Sequence, residues 1–158
     1  MTDKPYFPVF VDLSRKDILF VGGGSIAARR VQVLLPFAER ITIIAPQAED
    51  SIRELHKAGT VTWICRPFAE TDLQGRDIVF AATDDKQRNA EIAAMSRRNN
   101  IAVNVASDKE LCDFFFPGIV QQGDTVIGVN ASGKDHKKAK RVRERIQEVL
   151  TEEDIWKE

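Results

Sequence analysis

The residues best suited to chemistry lie in a glycine-rich turn between an apolar run and a helix-like pattern. Four apolar residues at 18–21 lead into three glycines at 22–24, and apolar residues then recur at helical spacing from Ile26 to Leu34. In such a joint the first glycine permits the turn, and the second lets the backbone approach a pyrophosphate. The N–H groups and positive dipole end of the helix then face the anion. The turn predicts a dinucleotide site, although such turns also occur for packing alone.

Two groups of polar residues each follow an apolar run farther along the chain. The first group is Thr83, Asp84 and Asp85, and the second is Asn104, Ser107, Asp108 and Asp113. Both would lie at the carboxyl edge of a parallel sheet, where such sheets bind ligands. A carboxylate of the second group is therefore a candidate general base or proton shuttle. Helix capping suits the side chains of the first group at least as well, and composition alone favours turn formation for the second.

The predicted second strand lacks the residue that commonly identifies the cofactor. An acid about 20 residues after the glycines usually binds the ribose 2′-OH of NAD. Here the strand ends Ile44-Ala45-Pro46-Gln47, with neither an acid nor an arginine at its tip. The residues alone leave NAD and NADP as alternatives.

Basic residues cluster near the carboxyl end, on a predicted helix. They are Lys134, His136, Lys137, Lys138, Lys140, Arg141, Arg143 and Arg145. Such a cluster is usually a solvated helix face, and it also suits a small polyanionic ligand. Nucleic acid is a weaker alternative because the formal net charge of the chain is -1.

Cysteine and histidine usage indicates neither a disulfide nor a metal site. Cys65 and Cys112 do not have the spacing of metal ligands or of a redox motif, so we expect buried thiols in a reducing compartment. His56 and His136 stand far apart in the sequence, and we predict no metal site.

The elements that must position these residues alternate between strands and helices. We predict buried strands at 18–21, 41–45, 61–65, 77–82 and 101–105, with helices near 48–58 and 86–99. Strands that are apolar on both faces indicate a parallel sheet covered on both sides. Residues 6–13 suggest an edge strand or a lead-in segment. We further expect an antiparallel hairpin at 117–130 and a helix at about 135–150, whose apolar stripe holds Ala139, Val142, Ile146 and Val149.

Length and composition fit one domain, or one domain with an appendage. The chain has 158 residues, 43% of them hydrophobic and 30% charged, which is ordinary for a globular protein. It shows no signal-type stretch at its start and no apolar run of about 18 residues, so we expect a cytoplasmic protein without a membrane partner.

Taken together, the motifs resemble those of the precorrin-2 dehydrogenase family, the N-terminal module of siroheme synthases. In family order they are YFPVFVDL at 6–13, VGGG at 21–24, IAP at 44–46, AATDD at 81–85, VNV at 103–105 and LCDFFFP at 111–117. The resemblance covers about residues 5 to 150. It also accounts for the tip of the second strand, since this family ends that strand in Ala-Pro rather than in an acid.

The resemblance implies an NAD-dependent enzyme that oxidises precorrin-2 to sirohydrochlorin on the route to siroheme, and some relatives also insert Fe²⁺. It implies a doubly wound, Rossmann-like α/β domain at 1–113. A small antiparallel hairpin and helix at 114–158 would serve dimerisation, so the expected assembly is a homodimer without nucleic acid.

The resemblance also assigns residues to the site. The implied cofactor contacts are Gly22, Gly23, Gly24, Ser25, Ile26, Pro46, Gln47, Thr83, Asp84 and Asn104. The substrate carries eight carboxylates, which gives the basic helix a reason to exist. The implied substrate contacts are Asp135, Lys137, Lys138 and Arg141.

Two positions depart from the family pattern. The aspartate that serves the family as acid/base corresponds to Ser107 here, and Asp108 follows it, so both are candidate catalytic residues. A serine hydroxyl cannot by itself replace a carboxylate as a base near neutral pH. Asp135 stands where the family has a serine near the substrate cleft.

These departures favour a second hypothesis, a catalytically weak paralogue that binds NAD or a tetrapyrrole as a sensor or carrier. A third, a nucleotide-sensing regulatory domain of an ion-transport system, shares only the glycine turn.

Overall fold

Two compact units make up the chain in a computed structural model that describes residues 6–132 and 135–152. The first unit is Val11–Phe114. The second contains residues 6–10 together with the described residues from Phe115 onward. Each unit is described by itself below.

A five-stranded parallel sheet forms the centre of the first unit. Its strands are β1 (Asp17–Val21), β2 (Arg40–Ile44), β3 (Thr62–Ile64), β4 (Ile78–Ala81) and β5 (Ala102–Val105). They lie in the order β3-β2-β1-β4-β5, and every neighbouring pair is parallel. The predicted strands and the doubly wound α/β fold are confirmed.

Three helices connect the strands: α1 (Ser25–Leu34), α2 (Asp50–Lys57) and α3 (Lys86–Arg98). Two short 3-10 helices, Glu70–Leu73 and Lys109–Leu111, were not predicted. Helix α1 buries Ala27, Ala28, Val31 and Leu34. Ile26, the first of the apolar residues at helical spacing, is 42% exposed. The small Ala27 and Ala28 face the sheet instead, which is the close helix–strand packing that this turn requires.

Aromatic packing at the middle of the sheet anchors the core. Phe20 of β1 and Phe80 of β4 are register partners, and their rings stack with centroids 4.4 Å apart. Both are at most 2% exposed. The ring of Phe114 meets Phe80 edge-on at 5.7 Å. Burial on this scale favours folding by the removal of apolar surface from water.

The chain after β5 folds back along the outer side of that strand. Asp113 N–H donates to the carbonyl of Val103 at 2.9 Å, and the Asp113 carboxylate accepts from Val103 N–H at 2.9 Å. The Sγ of Cys112 accepts from Val105 N–H at 3.2 Å. The motif at 112–113 thus satisfies the backbone groups on the outer side of β5.

The structure decides two local expectations. Residues 6–13 form no strand, and most of their apolar side chains are exposed, so of the two alternatives this stretch is the lead-in segment and not the edge strand. The expectation of buried thiols is wrong, because Cys65 is exposed and Cys112 is half-buried. Cys65 lies just beyond β3, an outer strand of the sheet, where its thiol donates to the backbone carbonyl of Pro46 at 3.2 Å.

The second unit contains the predicted hairpin and helix. Strands β6 (Gly118–Gln122) and β7 (Thr125–Val129) are antiparallel, and helix α4 (His136–Glu152) packs against them. Gly123 has a φ of +55° at the first central position of the hairpin turn, a position that favours glycine. Within the described part of the chain, no helix has both the length and the apolar character needed to cross a bilayer.

We predict that Phe20→Ala lowers the free energy of unfolding by about 3–5 kcal/mol, because it leaves a cavity beside Phe80. Chemical denaturation followed by far-UV circular dichroism measures this change. Phe7→Ala is the control, since Phe7 is 87% exposed and surface substitutions usually change stability by about 0.5 kcal/mol or less. Equal effects of the two substitutions would contradict the assigned core.

Candidate cofactor-binding site

The glycine turn after β1 fits between two backbone segments that leave no room for a side chain. A Cβ on Gly22 would lie 2.3 Å from the carbonyl oxygen of Ala82, and Gly22 has a φ of +108°. A Cβ on Gly23 would lie 2.5 Å from the carbonyl oxygen of Gln47. A Cβ on Gly24 would meet no described atom within 4 Å beyond its chain neighbours. The fold requires the first two glycines, and the third borders open space.

That open space lies at the N-terminus of α1. Gly24 is the N-cap residue and supplies no side-chain cap, and the first turn holds no acidic residue. The first hydrogen bond of the helix runs from Ala28 N–H to the carbonyl of Gly24 at 2.9 Å. Gly24, Ser25 and Ile26 are exposed. The N–H groups of this first turn and the positive dipole end are therefore available to an anion such as a diphosphate.

Strand β1 lies between β2 and β4, so the predicted cofactor contacts that follow these three strands lie at the same carboxyl edge of the sheet. Gly22 N–H donates to the carbonyl of Ile44 at 3.0 Å, and Ala82 N–H donates to the carbonyl of Val21 at 2.8 Å. Gly22, Pro46 and Thr83 together line a cavity of about 170 Å³. The remaining lining residues are Val21, Ile44, Ala45, Pro67, Phe68 and Arg88.

Sequence analysis missed the wall of this cavity formed by Phe68 and Arg88. The Arg88 guanidinium donates to the carbonyl of Phe68 at 3.1 Å and lies 5.7 Å from the centre of its ring. Asp72 stabilises the backbone that carries Phe68, because it pairs with Arg66 through two bonds of 2.6 and 2.8 Å. The bond from the Arg66 guanidinium is the main cause that lowers the pKa of the Asp72 carboxyl. No periodic pattern in the irregular stretch around Phe68 signals this arrangement.

A buried amide joins the ends of β4 and β5. Asn89 of α3 is fully buried, and its side chain contacts both Thr83 and Ser107. The Thr83 hydroxyl donates to Asn89 Oδ1 at 2.7 Å, and Asn89 Nδ2 donates to Ser107 Oγ at 3.1 Å. Sequence analysis missed Asn89. The buried residues of α3 are 89, 92, 93 and 96, a helical spacing that places the polar Asn89 and Ser96 on the same face as Ile92 and Ala93 and could have revealed it.

Asp85, Asp108 and Asp113, which lie near the ends of β4 and β5, have structural partners. Asp85 caps α3 by accepting from Arg88 N–H at 3.0 Å, and Asp108 accepts from Glu110 N–H at 2.9 Å. Asp113 pairs with Arg97 at 2.9 Å in addition to its bond with Val103. The capping and turn-forming alternatives thus describe what these three side chains do in the structure.

Asn104 lies within the first unit rather than at its surface, with 2% of its surface exposed. Its Oδ1 accepts from Arg30 Nη1 at 2.6 Å, and its Nδ2 donates to the carbonyl of Phe114 at 2.7 Å. Burial is the main cause that lowers the pKa of the Arg30 guanidinium. Asn104 thereby ties α1 to the segment after β5.

The remaining predicted contacts fall into two places. Ser25, Ile26, Gln47 and Asp84 are exposed near the carboxyl edge of the sheet. Lys137, Lys138 and Arg141 are exposed on α4 in the second unit. Asp135 precedes that helix, and its carboxylate accepts from Lys138 N–H at 2.8 Å. Asp135 therefore caps α4. The aspartate that stands here in place of the family's serine thus has a structural role.

Within residues 6–132 and 135–152, no three His, Cys, Asp or Glu side chains are grouped so that they could hold a metal ion.

A glycine turn that leads into an uncapped helix, at the carboxyl edge of a doubly wound parallel sheet, defines a nucleotide-binding protein of the Rossmann-like class. Comparison with known proteins gives the family. The chain belongs to the family described as "Putative NAD(P)-binding", whose model matches residues 9–118.

Individual relatives agree with the resemblance drawn from the motifs. A siroheme synthase of Pseudoalteromonas atlantica is 37% identical over 145 residues, which are 92% of this chain and 31% of the relative. A siroheme synthase of Methylococcus capsulatus is 37% identical over 142 residues, 90% of this chain and 30% of the relative. This chain thus spans about a third of the length of these curated relatives.

A solved structure is similar over nearly the whole chain. The structure of "SirC, precorrin-2 dehydrogenase" matches with a TM-score of 0.73 and 26% sequence identity, covering 91% of this chain and 71% of that one.

We predict that Gly24→Val abolishes NAD binding while the protein stays folded, since the added side chain would fill the space in front of α1. Isothermal titration calorimetry measures the affinity, and circular dichroism measures the fold. Gln32→Val, at an exposed position on the same helix, should leave NAD affinity unchanged. Gly22→Ala should instead destabilise the fold, because its Cβ would collide with Ala82. Unchanged affinity in folded Gly24→Val protein would contradict the site.

Proposed function

We propose that this protein is an NAD-dependent precorrin-2 dehydrogenase, which forms sirohydrochlorin in the biosynthesis of siroheme. The main observation in support of the proposal is the N-terminus of α1, which begins after Gly24, has no side-chain cap and borders open space. The chain that presents it is similar over 91% of its length to a precorrin-2 dehydrogenase. The cytoplasm is the proposed location, and Fe²⁺ insertion is a further activity that the resemblance implies.

The residues present fit the dinucleotide. Backbone N–H groups at 24–26 would bind the diphosphate, and the cavity beside Pro46 and Phe68 offers an apolar surface to the adenosine half. When bound, NAD⁺ supplies the hydride acceptor. NAD is favoured over NADP because Pro46-Gln47 places no cation at the tip of β2. The cation that lines the cavity, Arg88, is engaged with Phe68 and with Glu91 at 3.3 Å.

Removal of hydrogen from precorrin-2 releases a proton as well as a hydride, so a positioned group that accepts the proton would raise the rate. Ser107 occupies the acid/base position, and its hydroxyl is no base near neutral pH. The neighbouring Asp108 carboxylate caps the 3-10 helix Lys109–Leu111. With neither residue acting as the base, the proton passes to water. Because no positioned base takes part, we expect slow turnover.

The hydrogen bond of the Asp108 carboxylate to Glu110 N–H favours a second candidate. This candidate is the catalytically weak paralogue that binds NAD or a tetrapyrrole as a sensor or carrier. This candidate uses the same glycine turn and needs no base. It differs from the first in one measurable property, the production of NADH.

Binding of the tetrapyrrole is proposed for the basic helix α4. Lys137, Lys138 and Arg141 are exposed on its first two turns. A substrate with several carboxylates gains favourable Coulomb energy from such a group of cations, and this energy decreases as salt is added.

The division at 113/114 and a homodimer formed through 114–158 belong to the same proposal. A two-stranded hairpin is marginally stable in isolation and needs a packing partner. Val142 on α4 is 42% exposed, and Ile146 and Val149 are half-buried. These apolar side chains support the pairing of α4 with a second copy.

Anaerobic incubation with precorrin-2 and NAD⁺ tests the enzyme function, with NADH and the sirohydrochlorin spectrum as readouts. We predict slow turnover by the wild type and an increase of kcat in Ser107→Asp, because a positioned acid/base group contributes about 10²–10⁴-fold. Ser107→Asn, which lacks a basic oxygen of carboxylate type, is the matched control and should not be faster.

Two results would contradict parts of this proposal. No NADH from wild type or from Ser107→Asp, together with intact NAD binding, would favour the sensor or carrier. Fast wild-type turnover that neither Ser107→Asp nor Asp108→Asn changes would remove both residues from proton transfer.

Val142→Glu combined with Ile146→Glu should convert a dimer into monomers or aggregates, because two carboxylates would enter the apolar contact. Light scattering coupled to gel filtration measures the mass at micromolar concentration. Thr60→Glu combined with Asn99→Glu adds the same charge at exposed positions in the first unit, and this control should keep the wild-type mass. A monomeric wild type would contradict the proposed homodimer.

A further inference from the structure

The direction of every hydrogen bond around Asn89 follows from the backbone of Thr83. Thr83 N–H donates to Asn89 Oδ1 at 3.0 Å, and the Thr83 carbonyl accepts from Asn89 Nδ2 at 3.0 Å. A backbone N–H can only donate and a carbonyl can only accept, so the oxygen and the nitrogen of the amide are unambiguously assigned. Asn89 is fully buried, which favours this single orientation.

This orientation determines the role of the Ser107 hydroxyl. The second hydrogen of Asn89 Nδ2 points to Ser107 Oγ, 3.1 Å away. An amide nitrogen cannot accept, so the serine oxygen is the acceptor in this bond. The hydrogen of the Ser107 hydroxyl is not used there, and Ser107 is exposed. Ser107 therefore presents a hydrogen-bond donor outward from the end of β5.

The topology places this donor on one side of the glycine turn. Ser107 follows β5, and Ala106 N–H beside it donates to the carbonyl of Ala81 at the end of β4, at 2.9 Å. In the order β3-β2-β1-β4-β5, the tip of β2 at Pro46 lies on the opposite side of β1. A dinucleotide with its diphosphate at the turn and its adenosine toward β2 directs its nicotinamide over the ends of β4 and β5.

We propose that Ser107 is a hydrogen-bond donor to an oxygen of the bound reactants on this side, and that Asn89 is the positioning residue that keeps it a donor. The oxygen belongs either to the nicotinamide carboxamide or to a carboxylate of the tetrapyrrole. This inference rests on the proposed function. The donor role also distinguishes Ser107 from the aspartate that the family has at this position. A carboxylate there would accept from Asn89 and could not donate outward.

Calorimetry on the folded wild-type chain and on Ser107→Ala tests the donor. The variant should bind NAD⁺ about 2- to 10-fold more weakly, the range of a single neutral hydrogen bond. It should bind ADP-ribose as the wild type does, because ADP-ribose lacks the nicotinamide. Ser107→Thr retains the hydroxyl and should restore NAD⁺ affinity. If the oxygen is a substrate carboxylate, NAD⁺ affinity stays constant and the KM for precorrin-2 rises by that factor.

Asn89→Asp tests the positioning role with Ser107 left in place. The carboxylate keeps an acceptor for Thr83 N–H but draws the Ser107 hydrogen toward itself. The expected loss of affinity equals that of Ser107→Ala, and the double variant should show no further loss. If Asn89→Asp does not fold, the comparison of Ser107→Ala with Ser107→Thr still decides the proposal.

Two results would overturn the donor role. One is a Ser107→Ala protein with wild-type affinity for NAD⁺ and wild-type KM for precorrin-2. The other is an equal loss for NAD⁺ and ADP-ribose, which would indicate a general disturbance of the cleft. A wild type that binds NAD⁺ but forms no sirohydrochlorin contradicts the proposed function alone, whereas a wild type without NAD⁺ affinity overturns both.

Discussion

Gly22 occupies the point where the end of β1 meets the backbone that follows β4. The 2.3 Å that would separate a Cβ from the carbonyl oxygen of Ala82 is far shorter than any real contact. Because the side chain is absent, Ala82 N–H can bond to Val21 and Gly22 N–H can bond to Ile44. These two bonds hold three strand ends together directly below the first turn of α1. The cavity and the exposed helix N-terminus both depend on this close approach.

The glycine turn and the strands were predictable because each has a local cause. Apolar runs on both faces predict buried parallel strands, and three successive glycines between a strand and a helix predict a close backbone approach. The hairpin was predictable from the glycine at residue 123 between two β-rich runs. These features depend on residues that are close in the sequence, so local sequence patterns are sufficient to predict them.

The wall of the cavity and the polar network were not predictable in this way. Phe68 faces the cavity because Arg66 and Asp72 hold an irregular segment, a pairing that periodicity does not detect. Asn104 was expected at the carboxyl edge of the sheet, yet it is buried and bonds Arg30 on α1 across 74 positions of the sequence. The orientation of Asn89 depends on the backbone of Thr83, and its remaining hydrogen bond reaches Ser107 at the end of a different strand. Such contacts exist only after the sheet has formed.

The folding back of residues 112–113 along β5 has a consequence for self-association. An outer strand normally offers a row of unpaired N–H and C=O groups, which another chain can extend into a larger sheet. Here the N–H groups of Val103 and Val105 are both occupied, by the Asp113 carboxylate and by the Cys112 sulfur. The parallel sheet therefore presents little template for strand addition at β5. Where copies of this chain meet at that border, contacts between side chains are favoured over extension of the sheet.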